Sequence, residues 1–349
     1  MSLSWPGLEE RDRSDRWHGG PYPPGSSAET RSSRKLAKLA GNAVYTTYIL
    51  KRVLHSVIVI LCVSVVVFLL THISGDPAAV LLPPDASDEQ IQHFKELMGL
   101  DQPIHIQYYR FIGKAIHGDL GTSLMFRRPA MELVLERLPA SLKLTLAALA
   151  LAVIFGVPLG AIAALNRGKF ADLIASTASM ICLCFPSFFL GIVLILVFCV
   201  RLRLFPAAGG TDLRNMVLPA VVLSAYTVAM LTRLLRSSLI EVLSQPYIST
   251  ARSKGLREWV VVFKHAGRNA AIPVVTLLGL RLGEILGQAV VTETVFNYPG
   301  LSRLAIQGIE NGDYILVQSF IVVTALAVTG GNLLADLAYV VLDPRIKYD

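Results

Sequence analysis

The sequence predicts an all-α polytopic membrane protein with six transmembrane helices and a small helical extracytoplasmic subdomain between the first two. Three observations carry that expectation. Hydrophobic residues make up 53% of the 349 positions and charged residues only 16%, with a mean hydropathy of +0.56, which is too apolar for an ordinary soluble domain of this length. Six apolar runs, at 53–73, 142–165, 173–200, 215–235, 271–292 and 315–341, each approach the roughly 20 residues needed to cross about 30 Å of hydrocarbon. Basic residues are unevenly shared between the segments that separate these runs. With the N-terminus inside, 20 Lys and Arg fall on the cytosolic side against ten outside, and 13 remain inside when the tail to Lys38 is left out. The positive-inside rule then places both termini in the cytosol.

Taken in order, residues 1–44 are rich in Pro, Gly, Ser and charge without hydrophobic period, and read as a disordered cytosolic tail. The first span is expected within 45–73. Residues 74–141 follow as the outer subdomain. Ser87 and Gln90 have capping-box spacing, and Ile91, Phe94 and Leu97 recur at helical intervals before Gly99. A second helical pattern runs through Ile104, Tyr108, Phe111 and Ala115 to Gly118. Residues 142–349 carry the other five spans, with kinks expected at Pro186 and at Gly330–Gly331. All four cysteines (Cys62, Cys182, Cys184, Cys199) lie inside apolar runs, so neither a disulfide framework nor a zinc site is expected. The net charge of +7 follows membrane topology, and no nucleic-acid partner is expected.

Between spans four and five lies a polar loop, 233–270, holding Arg252, Lys254, Arg257, Lys264 and Arg268 against the single acid Glu258 in its second half. Pro246 suits the first turn of a helix and Gly255 the left-handed stop after it. About nine residues between them make a rod of roughly 13 Å, too short to stand alone in water. Ala251 thins one side of that helix, while Tyr247, Arg252 and Lys254 supply a ring and positive charge. On physical grounds alone, a loop lying on anionic headgroups competes evenly with a docking element.

The stretches "YISTARSKGL" and "HAGRNAAIP" resemble the cytosolic coupling loop of ABC-importer permeases, in the form typical of the dipeptide, oligopeptide and nickel family. Tyr247, Thr250, Ala251, Arg252, Lys254 and Gly255 fall on the first half of the motif, and His265, Arg268, Asn269 and Pro273 on the second. Ser249, Thr250 and Ala251 stand where the wider permease pattern has Glu-Ala-Ala, a departure normal for this branch. "SGDPAAV", "GLDQP", "GDLGTS", "ETVFNYPGL" and "DPRIKY" occur in the family's order, and the resemblance covers Tyr48 to the end. It implies a type I ABC-importer permease fold in the cytoplasmic (inner) membrane. It further implies two ATPase subunits gripping the 246–255 helix and a substrate-binding protein docking outside.

Neither Gly113-Lys114 nor Gly168-Lys169 sits in a phosphate-cradling loop. The chain is therefore expected to hydrolyse no ATP and to hold no cofactor, with ATP and Mg on the partner ATPases. A second, similar permease chain is expected beside it, because six spans do not readily enclose a wide path. In span five, Gly279, Gly283 and Gly287 make a stripe about 80° wide suited to close helix contact. Arg281, Glu284 and Gln288 cluster on a separate face that should avoid lipid. Two readings of that polar face stand level: a translocation path meeting the termini of a peptide, and an intrahelical ion pair that stabilises the bundle. Glu293, Asn332 and Asp336 are read as packing and gate residues. The expected cargo is a dipeptide or oligopeptide, with nickel or a metal chelate, or glutathione, as alternatives in the same family. An ion-coupled secondary transporter is the rival from another class, and it lacks the matched inverted halves such proteins show.

Overall fold

The computed structural model describes residues 50–69, 87–98, 101–206 and 209–342, all within the second of two units, 1–48 and 49–349. The expected tail 1–44, the "SGDPAAV" and "DPRIKY" motifs, Gly99 and the side chains of Ile91, Phe94, Leu97 and Asp336 lie outside the described residues. The first span is α1, Leu50–Leu69. The outer subdomain contributes α2 (Asp88–Met98) and α3 (Ile104–Ile116), and α4 (Ala130–Leu165) leads from it across the membrane. Next come α5 (Phe170–Cys184), α6 (Ser187–Leu194, continued by a wide π turn at Ile195–Arg201) and α7 (Leu213–Leu243). The short α8 (Pro246–Ser253) precedes α9 (Gly267–Val295), which is entered through Glu258–Val260 and a second π turn, Val261–Ala266. Finally α10 (Leu301–Glu310) and α11 (Tyr314–Leu342) complete the described chain. Among the described residues four helices are long and apolar enough to cross a membrane, and the number is six if each of two bent pairs counts as one span.

Local chemistry sets the start of α2. Ser87 N–H donates to Gln90 Oε1 at 3.0 Å and Gln90 N–H donates to Ser87 Oγ at 3.3 Å, the reciprocal cap that starts α2. Along α3, Tyr108 and Phe111 lie against Phe68 of α1 with ring centroids 5.3 and 5.8 Å away. The Tyr108 hydroxyl also meets Ser64 Oγ at 2.8 Å. The outer subdomain therefore rests on the first span through aromatic contact.

Of the two kinks expected, the one at Pro186 is present and the one at Gly330–Gly331 is not. The run 173–200 is not one rod: α5 and α6 meet at 104°, because Pro186 forces Phe185 into extended backbone (ψ 126°). In contrast, Gly330 and Gly331 sit inside the unbroken α11. The boundary drawn at 141 falls within α4, whose 36 residues span about 54 Å. Hydropathy marks where a helix becomes lipid-facing, and here the helix begins about three turns earlier in a charged stretch.

The bundle is held by close backbone approach, as expected where lipid offers no hydrophobic drive for helix association. A Cβ on Gly156 would fall 2.9 Å from Leu231 Cβ, and one on Gly160 2.8 Å from the Thr232 carbonyl oxygen. Thr232 Oγ1 donates to the Val228 carbonyl at 2.8 Å within α7. At the α8 end, Asp172 of α5 accepts two bonds from Arg236 of α7, at 2.5 and 2.8 Å, and one from Gly168 N–H at 2.9 Å. That bidentate pair ties the two helices together and satisfies a carboxylate that is 5% exposed.

Candidate functional site

The helix α8 starts with Pro246 at its first position and stops before Gly255, whose φ is +73°. The left-handed turn suits glycine. Its inner face is Ile248, fully buried, and Ala251, which pack with Leu235, Leu239, Val261 and Ala266. The close approach that Ala251 permits is therefore to this chain's own bundle. Tyr247, Thr250, Arg252 and Lys254 are exposed on the outer side. Two contacts pin the helix to the residues that lead into α9. Asn269 Nδ2 donates to the Tyr247 hydroxyl at 2.8 Å, joining the two halves of the loop. Arg252 donates to both oxygens of Glu258, at 2.6 and 3.2 Å. His265 is half-buried, Arg268 is exposed, and Pro273 lies in the second turn of α9. The result is a short, anchored rod with a cationic, hydroxyl-bearing outer face, a shape able to enter a groove on another protein.

Within α9 the structure holds Arg281 tightly. Its guanidinium donates to Glu284 Oε2 at 2.7 Å and lies 4.5 Å from the centroid of the Tyr226 ring. Arg281 is buried, whereas the Glu284 side chain is 56% exposed and Gln288 is exposed. The intrahelical pair is thus real, and its carboxylate end faces away from the bundle. Tyr226, fifty-five positions earlier on α7, was not legible as a partner because cation–π geometry leaves no spacing signature.

The glycine stripe is only partly a seam. A Cβ at Gly279 would lie 3.1 Å from Ala335 Cβ and one at Gly283 2.5 Å from Asn332 Oδ1, both on α11, but Gly287 meets nothing within 4 Å. Each fourth residue advances about 40° around a straight helix. Eight residues carry Gly287 off the line of contact with α11, and it meets no other part of the described chain.

At the far ends of α7 and α9 from α8, two buried carboxylates organise the backbone. Glu293, with no exposed surface, accepts from Ser141 Oγ at 2.5 Å, from Ser302 N–H at 2.8 Å and from Arg303 N–H at 3.3 Å. Ser141 Oγ in turn accepts from Leu301 N–H at 2.7 Å. Glu293 and Ser141 together cap α10, whose own N-cap, Gly300, has no side chain. Asp313 is equally buried. It accepts from Ser123 Oγ at 2.5 Å and Met125 N–H at 3.1 Å, while capping α11 through Leu316 N–H at 3.1 Å. The "GDLGTS" motif is thereby latched to a helix start nearly two hundred residues later.

Known proteins place this architecture. Residues 156–348 match the model of the binding-protein-dependent transport system inner membrane component. Residues 45–145 match the N-terminal membrane-component model of the same systems. The chain is 40% identical over 302 residues to the glutathione transport system permease protein GsiC of Escherichia coli K12, covering 86% of this chain and 99% of that protein. The GsiC protein of Salmonella paratyphi A is 39% identical with the same coverage. Among solved structures, an inward-facing MetNI methionine ABC transporter gives a TM-score of 0.50 at 17% identity, over 61% of this chain and 97% of that one. At that identity the likeness speaks for the fold alone. With its helical bundle, its ordered motifs and two family models end to end, the chain belongs to the binding-protein-dependent permeases of the dipeptide, oligopeptide and nickel branch, and is a multi-pass translocation subunit of an ABC importer, not an enzyme.

Proposed function

We propose that this permease imports short anionic peptides, with glutathione the first candidate, handed over by an extracytoplasmic binding protein and driven by two separate ATPase subunits that bind ATP and Mg. The observation that carries the reading is the 40% identity to GsiC over 99% of that permease's length. Both termini lie in the cytosol, and α8 is the element that an ATPase groove receives. A second permease chain completes the path, with the exposed Glu284 and Gln288 facing it and Arg281 as the fixed base of the carboxylate. In that arrangement Glu284 offers a negative group to the ammonium of a passing peptide. Work enters because the ATPase dimer binds the inward- and outward-facing states with different affinity.

The test is ATP hydrolysis by the reconstituted complex with its binding protein, with glutathione, di- and pentapeptides, and nickel plus a chelator as separate samples. Stimulation by glutathione or a short peptide is expected, and stimulation by the nickel sample alone would overturn the cargo assignment. For the coupling assignment, Thr250→Trp places bulk on the exposed face of α8. The permease should still fold but lose its ATPase subunits on purification, and full retention of both would refute the role of α8.

A further inference from the structure

On the face opposite α8, a polar cleft of about 300 Å³ opens between the start of α4, the segment before α7 and the α9–α10 turn. Arg137 and Arg303 line it, with the side-chain amides of Asn297 and Gln307 between walls made by Gly209 and Pro299. Every charged group in that lining is a cation. Of the carboxylates near the lining in sequence, Glu132, Glu136 and Glu293 are already engaged, while Asp212 and Glu310 stand exposed three positions from Gly209 and Gln307. Glu132 and Glu136 are both held by Arg128, at 2.8 and 2.6 Å. Glu293 is sealed beneath Gly300, where it takes its bonds from Ser141, Ser302 and Arg303 N–H. Among the described residues, neither the Arg137 nor the Arg303 guanidinium has an ion-pair partner.

The backbone beneath the cleft is also held in place. Arg137 stands one turn before Ser141 on α4, so both share a face, and Ser141 is fixed by Glu293 and Leu301 N–H. Arg303 is fixed at its backbone by the same Glu293. Asn297 is locked at φ +49°, a left-handed conformation that asparagine tolerates. A Cβ on Gly300 would overlap the Glu293 carboxylate, so the floor of the cleft stays at backbone height. Two guanidinium-bearing and two amide-bearing side chains line the cleft beside a backbone floor, with no carboxylate in the lining, a donor set that suits a carboxylate.

We infer that this cleft is a carboxylate-binding subsite on the outer face of the permease, gripped by Arg137 and Arg303. Two sources supply that group: the free carboxylates of an arriving solute such as glutathione, or an acidic side chain on the delivering protein. The inference rests on the proposed function for the side of the membrane and for which of these arrives.

Both sources are tested on the intact complex, comparing wild type with Arg137→Gln, Arg303→Gln and the charge-keeping Arg303→Lys. In the first arm, saturation-transfer NMR follows glutathione and its diethyl ester, which lacks both carboxylates, without delivery protein. In the second, the half-saturating concentration of delivery protein is read from stimulated ATP hydrolysis at low and high salt. A glutathione signal that the ester lacks and that weakens about ten- to a hundredfold in the Gln variants assigns the subsite to the solute. A half-saturation raised by a similar factor in the Gln variants, salt-sensitive in wild type and restored in part by Lys, assigns it to the delivery protein. Unchanged behaviour in both arms overturns the subsite. Basal ATP hydrolysis and thermal midpoint serve as folding controls and should match wild type, because neither guanidinium braces the bundle. Failure of every peptide to stimulate the wild-type complex would instead count against the proposed cargo.

Discussion

Glu293 sits without solvent exposure beneath a glycine and bonds to the first turn of a helix that begins eight residues later. Removing the carboxylate strands the Ser302 and Arg303 N–H groups, and Glu293→Ala should cost about 2–4 kcal/mol, read as a lower thermal midpoint of the solubilised complex. Gly300→Ala should also destabilise, because its Cβ collides with that carboxylate. The double variant should lose less than the sum, since each change relieves part of the other's conflict. Full additivity would show that the two residues do not share one site. Glu293 was legible as a motif residue at the end of a span. Its capping work was not, because Ser141 lies 152 positions away and a helix capped from outside its own sequence carries no local signal.

At the scale of one element, α8 shows what local chemistry reveals. Pro246 and Gly255 mark its two ends in the sequence, and the helix observed, Pro246–Ser253, obeys both. Which side turns inward needed the fold, although Ile248 and Ala251 stand three apart on one face and offered the hint. The structure separates two kinds of substitution here. Gly255 has φ +73° but open space around it, so Gly255→Ala should cost only about 1–2 kcal/mol of backbone strain and leave the surface of α8 unchanged. Ala251→Leu enlarges a residue that is 8% exposed within a packed cluster and should cost about 1–3 kcal/mol through overpacking. Thermal melts of the two variants should therefore rank Ala251→Leu below or level with Gly255→Ala, and the reverse order would contradict the inward orientation.

For the molecule as a whole, composition and charge distribution carried the class, and the apolar runs located the crossings. Pro186 warned of a kink, but the size of the turn, 104°, is set by the extended backbone at Phe185, which hydropathy does not record. The polar face of α9 was visible by its spacing, whereas its partner Tyr226 required three-dimensional proximity. Bundle integrity depends on where glycine allows helices to touch. Gly160→Ala pushes a methyl group to within 2.8 Å of the Thr232 carbonyl oxygen and 3.0 Å of Leu235 Cβ, so it should lower the thermal midpoint. Gly113→Ala, in α3 with nothing within 4 Å, should instead stabilise by about 0.5–1 kcal/mol. Equal effects would dissolve the distinction between a contact glycine and a merely permissive one.

That glycine contact has a mechanical consequence. Backbones pressed together at Gly156 and Gly160 leave α4 and α7 no slack to slide, so the pair behaves as a single connecting rod. Its 31-residue member α7 reaches about 46 Å, running from the segment beside the arginine cleft to the short turn that opens α8. Apart from Pro219 in its second turn, α7 runs to that end without an interior proline. Motion of α7 should therefore carry α4 with it.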